Sequence, residues 1–431
     1  MTDAIAMAKE AAARAKADSR VLATLGIDMR NGALARIADE LAAHSAAIVA
    51  ANEKDLATAE ANGEAEPIVK RLVFNEKKLK DAIIGLREMI ELADPVGRIL
   101  IKRELDKDLL LEQVTCPLGV IGVIFESRPD ALVQIAALCL KSGNAAILKG
   151  GSEAAETNRT LYEIIHKAGT AMGLPAGFLT LLESRSEISG LLTCHDSVDL
   201  IIPRGSNAFV RYIMDNSEIP VMGHADGICH VYVDKAADIT KAVQIVCDSK
   251  TQYVAVCNAV ETVLVHKDIA GALMKPLMDE LHGRGVEVRG CDQTMSLHPD
   301  VRPADEEDYR TEYLDYIVSL KIVDDVAEAI LHINNYGSHH TDAIVTEDGK
   351  AAAQFKAGVD SAGVYHNCST RFSDGFRYGF GAEVGVSTSK LHARGPVGLD
   401  GLVTYKYLLS GNGNIVADYA EGRKAFSFRD L

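Results

Sequence analysis

Helical periods alternate with short β-rich runs along most of this 431-residue chain, and nothing else in the sequence limits its fold as strongly. Apolar spacing predicts helices over 33–60, 76–93, 129–143, 153–173, 238–249, 273–282 and 326–335. Between them 145–148, 178–182, 198–202, 230–233, 260–266 and 316–323 read as short buried strands. Strand–helix–strand succession builds parallel sheets with helices on both faces. The expected class is therefore α/β, with doubly wound, mostly parallel sheets.

One stretch breaks the pattern. Residues 98–105 and 109–114 flank the polar turn Asp106-Lys107-Asp108 and read as an antiparallel hairpin. A lone hairpin exposes its edges, so this one is expected to pair with something, either its own domain or another subunit. Residues 291–310 are polar and form an irregular excursion, and residues 1–20 form an Ala-rich amphipathic first helix.

Lys and Arg number 45 against 61 Asp and Glu, a formal net charge of −16. A polyanion such as nucleic acid is repelled on average, whereas a small anion can still be held by a local group of arginines. No apolar run approaches the roughly 20 residues that span a bilayer. The N-terminal stretch lacks a signal core and carries acids, which points to a cytoplasmic protein. Eight cysteines (116, 139, 194, 229, 247, 257, 291 and 368) form no CxxC pair and read as reduced thiols. The histidines of the last third (332, 339, 340, 366 and 392) lack metal-ligand spacing, so no metal is expected and they read as hydrogen-bonding or surface groups.

Three turns carry candidate chemistry. Cys257, in Val256-Cys257-Asn258-Ala259, falls between a helical stretch and the strand 260–266. Backbone N–H groups at such a junction lower a thiol's pKa and can bind an oxyanion. The alternative is a buried structural cysteine. Lys149-Gly150-Gly151-Ser152 ends a strand with a cation, two turn glycines and a hydroxyl able to cap the next helix. Arg204-Gly205-Ser206 ends another, where backbone N–H groups can meet a pyrophosphate. Both also read as ordinary βα turns. The Gly379–Gly385 stretch has the wrong spacing and no preceding strand for a dinucleotide fingerprint.

Taken in order, these segments resemble the gamma-glutamyl phosphate reductase family of the aldehyde dehydrogenase superfamily. The resemblance is carried by 117–129, 148–152, 202–205, 227–234, 256–259, 335–338, 367–372 and 391–396, essentially the whole chain. It implies two Rossmann-like α/β domains and a hairpin oligomerisation arm: 1–97 with 117–227 for the cofactor, 228–395 for catalysis, and 98–116 with 396–431 as the arm. It implies Cys257 as nucleophile, with its backbone N–H or the Asn258 side chain as oxyanion donor. Lys149, Ser152, Gly205, Ser206 and Glu312 would bind NADPH, the Ser152 hydroxyl admitting a 2′-phosphate. Arg128, Arg204 and Arg371 would meet the anionic groups of L-glutamyl 5-phosphate. The implied activity is reduction to glutamate 5-semialdehyde in proline biosynthesis, by a homo-oligomer, with contact to glutamate 5-kinase left open. Two departures from ordinary aldehyde dehydrogenases stand out. Residues 222–227 carry no glutamate to activate water, and no asparagine follows Pro129 near the helix start. The rival readings are a hydrolytic aldehyde dehydrogenase, an aspartyl phosphate reductase and a non-catalytic binding protein.

Overall fold

Runs of Val, Ile, Leu and Ala too short for helices become parallel strands buried on both faces. In a computed structural model describing residues 2–224 and 226–431, apart from the side chains of residues 2, 3, 67 and 185, the expected doubly wound α/β architecture is present. The chain divides into two compact units, 1–222 with 381–385 and 397–431, and 223–380 with 386–396. The hairpin and the C-terminal segment, expected as a separate arm, both fall in the first unit.

The first unit holds a four-stranded parallel sheet in the order Leu179–Leu182, Ala145–Gly150, Val120–Phe125, Leu200–Arg204. Every residue of Val120–Phe125 and Ala145–Gly150 is buried, as strands covered on both faces require. The chain leaves Val120–Phe125 to one side first and later returns on the other. That reversal opens a crevice at the carboxyl ends of Val120–Phe125 and Leu200–Arg204, where such sheets bind ligands. The helix expected over 33–60 is two helices, Ile27–Ala43 and Ser45–Ala61. His44 leaves helical geometry between them (φ −104°, ψ 19°), its ring Nδ1 bonding the Glu40 carbonyl at 2.8 Å. The hairpin Ile99–Asp106 and Leu109–Pro117 pairs with the chain's own Val403–Ser410 on one side and Arg429–Asp430 on the other.

The second unit is built on a seven-stranded, all-parallel sheet. Its order is Arg302–Pro303, Glu287–Gly290, Ile317–Val323, Val260–His266, Cys229–Val233, Thr341–Val345, Gly363–His366. The expected strand 260–266 appears with those bounds, fully buried at the centre. Helices Ile239–Thr251 and Lys267–Gly283 bury Val246, Leu273 and Leu277 against it. Full burial of each such side chain contributes roughly 1.5–3 kcal/mol.

Candidate active site

Cys257 lies where the chain enters the central strand. The helix Ile239–Thr251 has ended, and a turn closed by Ala259 N–H to the Val256 carbonyl (3.1 Å) feeds Val260–His266. The thiol is half-buried. Val260–His266, Cys229–Val233 and Thr341–Val345 are adjacent in the sheet, so the residues just before each strand meet at its amino edge. This register brings together Cys257, His224, Gly227 and His340. Cys257 Sγ and one ring nitrogen each of His224 and His340 all lie within 4.8 Å of one another. The two rings meet edge to face, centroids 4.9 Å apart. The His224 Nδ1–H donates to the Val386 carbonyl at 2.9 Å, so Nε2 is that ring's basic nitrogen. The histidine expectation above did not foresee this group, because its three members come from distant segments.

Gly227 passes directly against the Cys257 backbone. A Cβ there would stand 2.3–2.6 Å from the Cys257 O, Cα and Cβ atoms, closer than such atoms pack. Two of those three atoms are backbone, so a clash displaces Cys257 instead of bending a flexible side chain. Gly227→Ala is expected to lower kcat/KM by about 100-fold, the cost of roughly 1 Å of misplacement, while circular dichroism stays unchanged. A variant with normal kinetics would show that this approach does not position the thiol.

The Asn258 side chain does not sit as an oxyanion donor. It is buried and its Nδ2 donates to the Ser373 carbonyl at 2.8 Å, while the backbone carbonyl of Asn258 accepts from Thr370 Oγ1 at 2.7 Å. Side chain and backbone of Asn258 together therefore hold the 370–373 turn, which places Arg371. Arg371 is buried, with Nε donating to Gln252 Oε1 at 2.9 Å. Burial and Arg377 lower its pKa, and the nearby Cys257 thiol opposes them. Glu312, half-buried, stands near a fully buried ion pair, Lys250 Nζ–Glu261 Oε2 at 2.6 Å. Burial pushes Glu261 up to about 7 against the pull of Lys250, and the charge of Glu312 adds to the rise.

The cofactor candidates other than Glu312 lie at the carboxyl edge of the first unit's sheet. Lys149 is 5% exposed, its ammonium bonded to the Gly150 carbonyl. Gly151 is not in a left-handed turn, and the nearest group on the side where a Cβ would stand is a side-chain carboxylate. Its φ is −61°, and a Cβ would meet the Glu153 carboxylate at 2.0–2.4 Å. Glu153 in turn accepts Ser127 N–H and Oγ–H at 2.6 and 2.7 Å. Ser152 is exposed and, against expectation, caps no α-helix. It opens a short 3₁₀ turn, and the helix Ala155–Ala171 is capped by the distant Asp55, which accepts Glu156 and Thr157 N–H at 3.1 and 2.8 Å.

Two further expectations change. Ser206 N–H donates to Glu126 Oε2 at 2.9 Å, so a protein carboxylate already holds the N–H expected to meet a pyrophosphate. An anion at this helix start is favourable, and the fold supplies its own. Arg204, expected to meet substrate, binds the Val384 carbonyl through Nη1 and packs against Gly385. Arg128 is exposed just before the helix Pro129–Lys141. A hydroxyl at 152 and a buried ammonium at 149 suit a phosphorylated adenosine ribose; the Glu126 contact does not suit a pyrophosphate at Ser206.

Residues 3–295 match the model of the aldehyde dehydrogenase family. Over 422 residues the chain is 58% identical to gamma-glutamyl phosphate reductase of Acetivibrio thermocellus, covering 98% of both chains. It is 59% identical over 422 residues to the enzyme of that name from Pelotomaculum thermopropionicum, covering 98% of this chain and 97% of the relative. The crystal structure of gamma-glutamyl phosphate reductase from Thermotoga maritima aligns with a TM-score of 0.92 at 39% identity, over 94% of this chain and 99% of that one. With this fold, and with such identity over nearly its whole length, the chain belongs to the gamma-glutamyl phosphate reductases of the aldehyde dehydrogenase family.

Proposed function

We propose that this chain reduces L-glutamyl 5-phosphate to L-glutamate 5-semialdehyde with NADPH, releasing phosphate, as a step of proline biosynthesis. The observation that carries the reading is the setting of Cys257. The segment pressed against it through Gly227 has no glutamate to activate water, and the groups beside its sulfur are two imidazoles. The imidazole that takes the thiol proton stays protonated while the thioester stands, and among the described residues no carboxylate beside it replaces it as a base for water.

Cys257 Sγ adds to the acyl carbon, its proton passing to the neighbouring imidazole of His224. Phosphate departs with the electron pair of the acyl C–O bond, leaving a thioester. The Cys257 backbone N–H faces the developing oxyanion, and Arg371 holds an anionic group of the substrate. When bound, the reduced nicotinamide supplies the hydride that converts the thioester to a thiohemiacetal. That adduct, formed as the oxyanion, collapses by breaking its C–S bond, which frees the aldehyde and a thiolate that takes back the proton held by His224. Lys149 and Ser152 hold the adenosine ribose and its 2′-phosphate, and Glu312 holds the nicotinamide ribose.

The enzyme acts in the cytoplasm as a homo-oligomer joined through the arm, where Ile99, Tyr407 and Leu409 are exposed. Among the described residues no helix is long and apolar enough to cross a membrane.

Glutamate semialdehyde, NADP and phosphate supplied together should yield NADPH at a rate that depends on phosphate. Oxidation without phosphate would overturn the acyl-phosphate route in favour of hydrolysis. Ser152→Glu places a carboxylate beside the 2′-phosphate position. It should raise KM for NADPH about tenfold or more, the equivalent of roughly 1.4 kcal/mol, and leave KM for NADH little changed. Equal effects on both cofactors would remove Ser152 from the phosphate site.

A further inference from the structure

We propose that Cys257, His224 and His340 form a site for a zinc-type divalent cation, and that its occupancy reversibly blocks the enzyme. The blocking rests on the reading of Cys257 as nucleophile; the binding does not.

The three ligand atoms lie within 4.8 Å of one another. Zinc bonds of about 2.3 Å to sulfur and about 2.0–2.1 Å to nitrogen place tetrahedral ligands roughly 3.3–3.6 Å apart. Side-chain adjustments of an ångström or so, on the scale of the bond lengths themselves, close that gap. In both rings Nδ1 already has a hydrogen-bond partner, which leaves Nε2 as the ligand atom. A metal-bound histidine ordinarily donates its other ring N–H to a carbonyl, carboxylate or water, which fixes the tautomer. His224 does this with the Val386 carbonyl at 2.9 Å. The His340 Nδ1 meets the Thr341 hydroxyl at 2.9 Å, and its Nε2, fully buried, has no hydrogen-bond partner among the described residues. A buried ring nitrogen without a partner is a standing cost to the fold, which a bound cation offsets.

The donor set selects the ion. One thiolate and two imidazoles suit Zn²⁺, Cd²⁺ or Co²⁺ and not Mg²⁺ or Ca²⁺, which take oxygen ligands. The fourth position is left to water. Cys229, the nearest other thiol, is fully buried, held protonated by that burial, and donates to the Cys257 carbonyl at 3.2 Å. Binding exchanges the Cys257 S–H bond for an S–metal bond and releases the proton to solvent, with no change of oxidation state. The sulfur lone pair that would attack an acyl phosphate is then shared with the ion, and the imidazoles can no longer take a proton.

The test uses the full chain, stripped with EDTA and dialysed into phosphate-free buffer. One equivalent of Co²⁺ should produce the thiolate-to-cobalt charge-transfer band and the visible bands of a tetrahedral ion, and Zn²⁺ should displace it. Zn²⁺ should also slow alkylation of Cys257 by iodoacetamide, read by mass spectrometry, with EDTA restoring the rate and Mg²⁺ inert. Competition against a chromophoric chelator should show Zn²⁺ affinity lowered about tenfold or more in His224→Ala, which is half-exposed, and in His340→Gln. A cobalt band that survives in Cys257→Ala, or unchanged Zn²⁺ affinity in both histidine variants, overturns the site. Metal binding as described, with full turnover in Cys257→Ala, leaves the site standing and overturns the blocking together with the nucleophile.

Discussion

Cys257→Ser or Cys257→Ala is expected to lower kcat/KM on the order of 10⁴-fold or more, as loss of a nucleophile does elsewhere. A serine hydroxyl in the same turn remains protonated and is a far weaker nucleophile. No other thiol can substitute. Burial pushes Cys139 up to about 12 and Cys247 up to about 11, and raises Cys116, Cys194, Cys229 and Cys368. A thiol held protonated does not attack a carbonyl. Cys291 differs. Burial acts to raise its pKa, but hydrogen bonds with Ile322, Thr294 and Gln293 lower it overall. It follows the strand Glu287–Gly290, so it stands at the sheet's carboxyl edge, opposite the edge where Cys257 enters. The cofactor candidates Lys149 and Ser152 belong to the other unit, so NADPH binding followed by fluorescence should be largely unchanged in both variants. Substantial remaining turnover would remove Cys257 from the mechanism, whereas lost NADPH binding would point to a folding defect.

What could be read from the chain alone follows the range of the forces involved. The strand 260–266 was expected with the bounds it has, because β-branched residues and length are local properties. The 98–116 hairpin was likewise visible in two apolar runs around Asp106-Lys107-Asp108. The break at His44 was not, because the helical period and the backbone bonds from His44 N–H to the Glu40 carbonyl and from Ile48 N–H to the His44 carbonyl continue through it. At the site, Cys257 was visible as a thiol at an element junction, but its neighbours were not. His224 and His340 reach it only because three particular strands are adjacent in the sheet. The same holds for Glu126, which takes the Ser206 N–H across the crevice, and for Asp55, which caps a helix about a hundred residues away. Each is a carboxylate whose partner is chosen by strand or helix order, and no local spacing encodes that choice.

The second large effect concerns stability. Lys250→Met should destabilise the chain by ~3–5 kcal/mol, because it strands the fully buried Glu261 carboxylate. Against a typical total of roughly 5–15 kcal/mol, that loss decides whether the second unit stays folded. The change also has a pH signature. The folded state holds the Glu261 proton more tightly than the unfolded chain does, burial having raised its pKa from 4.5 to about 7. Such a group favours the fold at low pH, and its contribution is lost as pH rises from about 4.5 to about 7 and is flat above. Removing Lys250 removes the charge that opposes this rise, so the decline should extend to higher pH in the variant. Urea unfolding at a series of pH values measures both. The pair also accepts the Leu314 N–H at 3.4 Å, in the segment that carries Glu312, so KM for NADPH should rise with the loss of order there. Lys250→Met combined with Glu261→Met should recover most of the stability, since an apolar pair leaves no buried charge unpaired. A single-variant loss below about 1 kcal/mol, the scale of an exposed ion pair, would show that water reaches Glu261 and that the pair is not the anchor its burial implies.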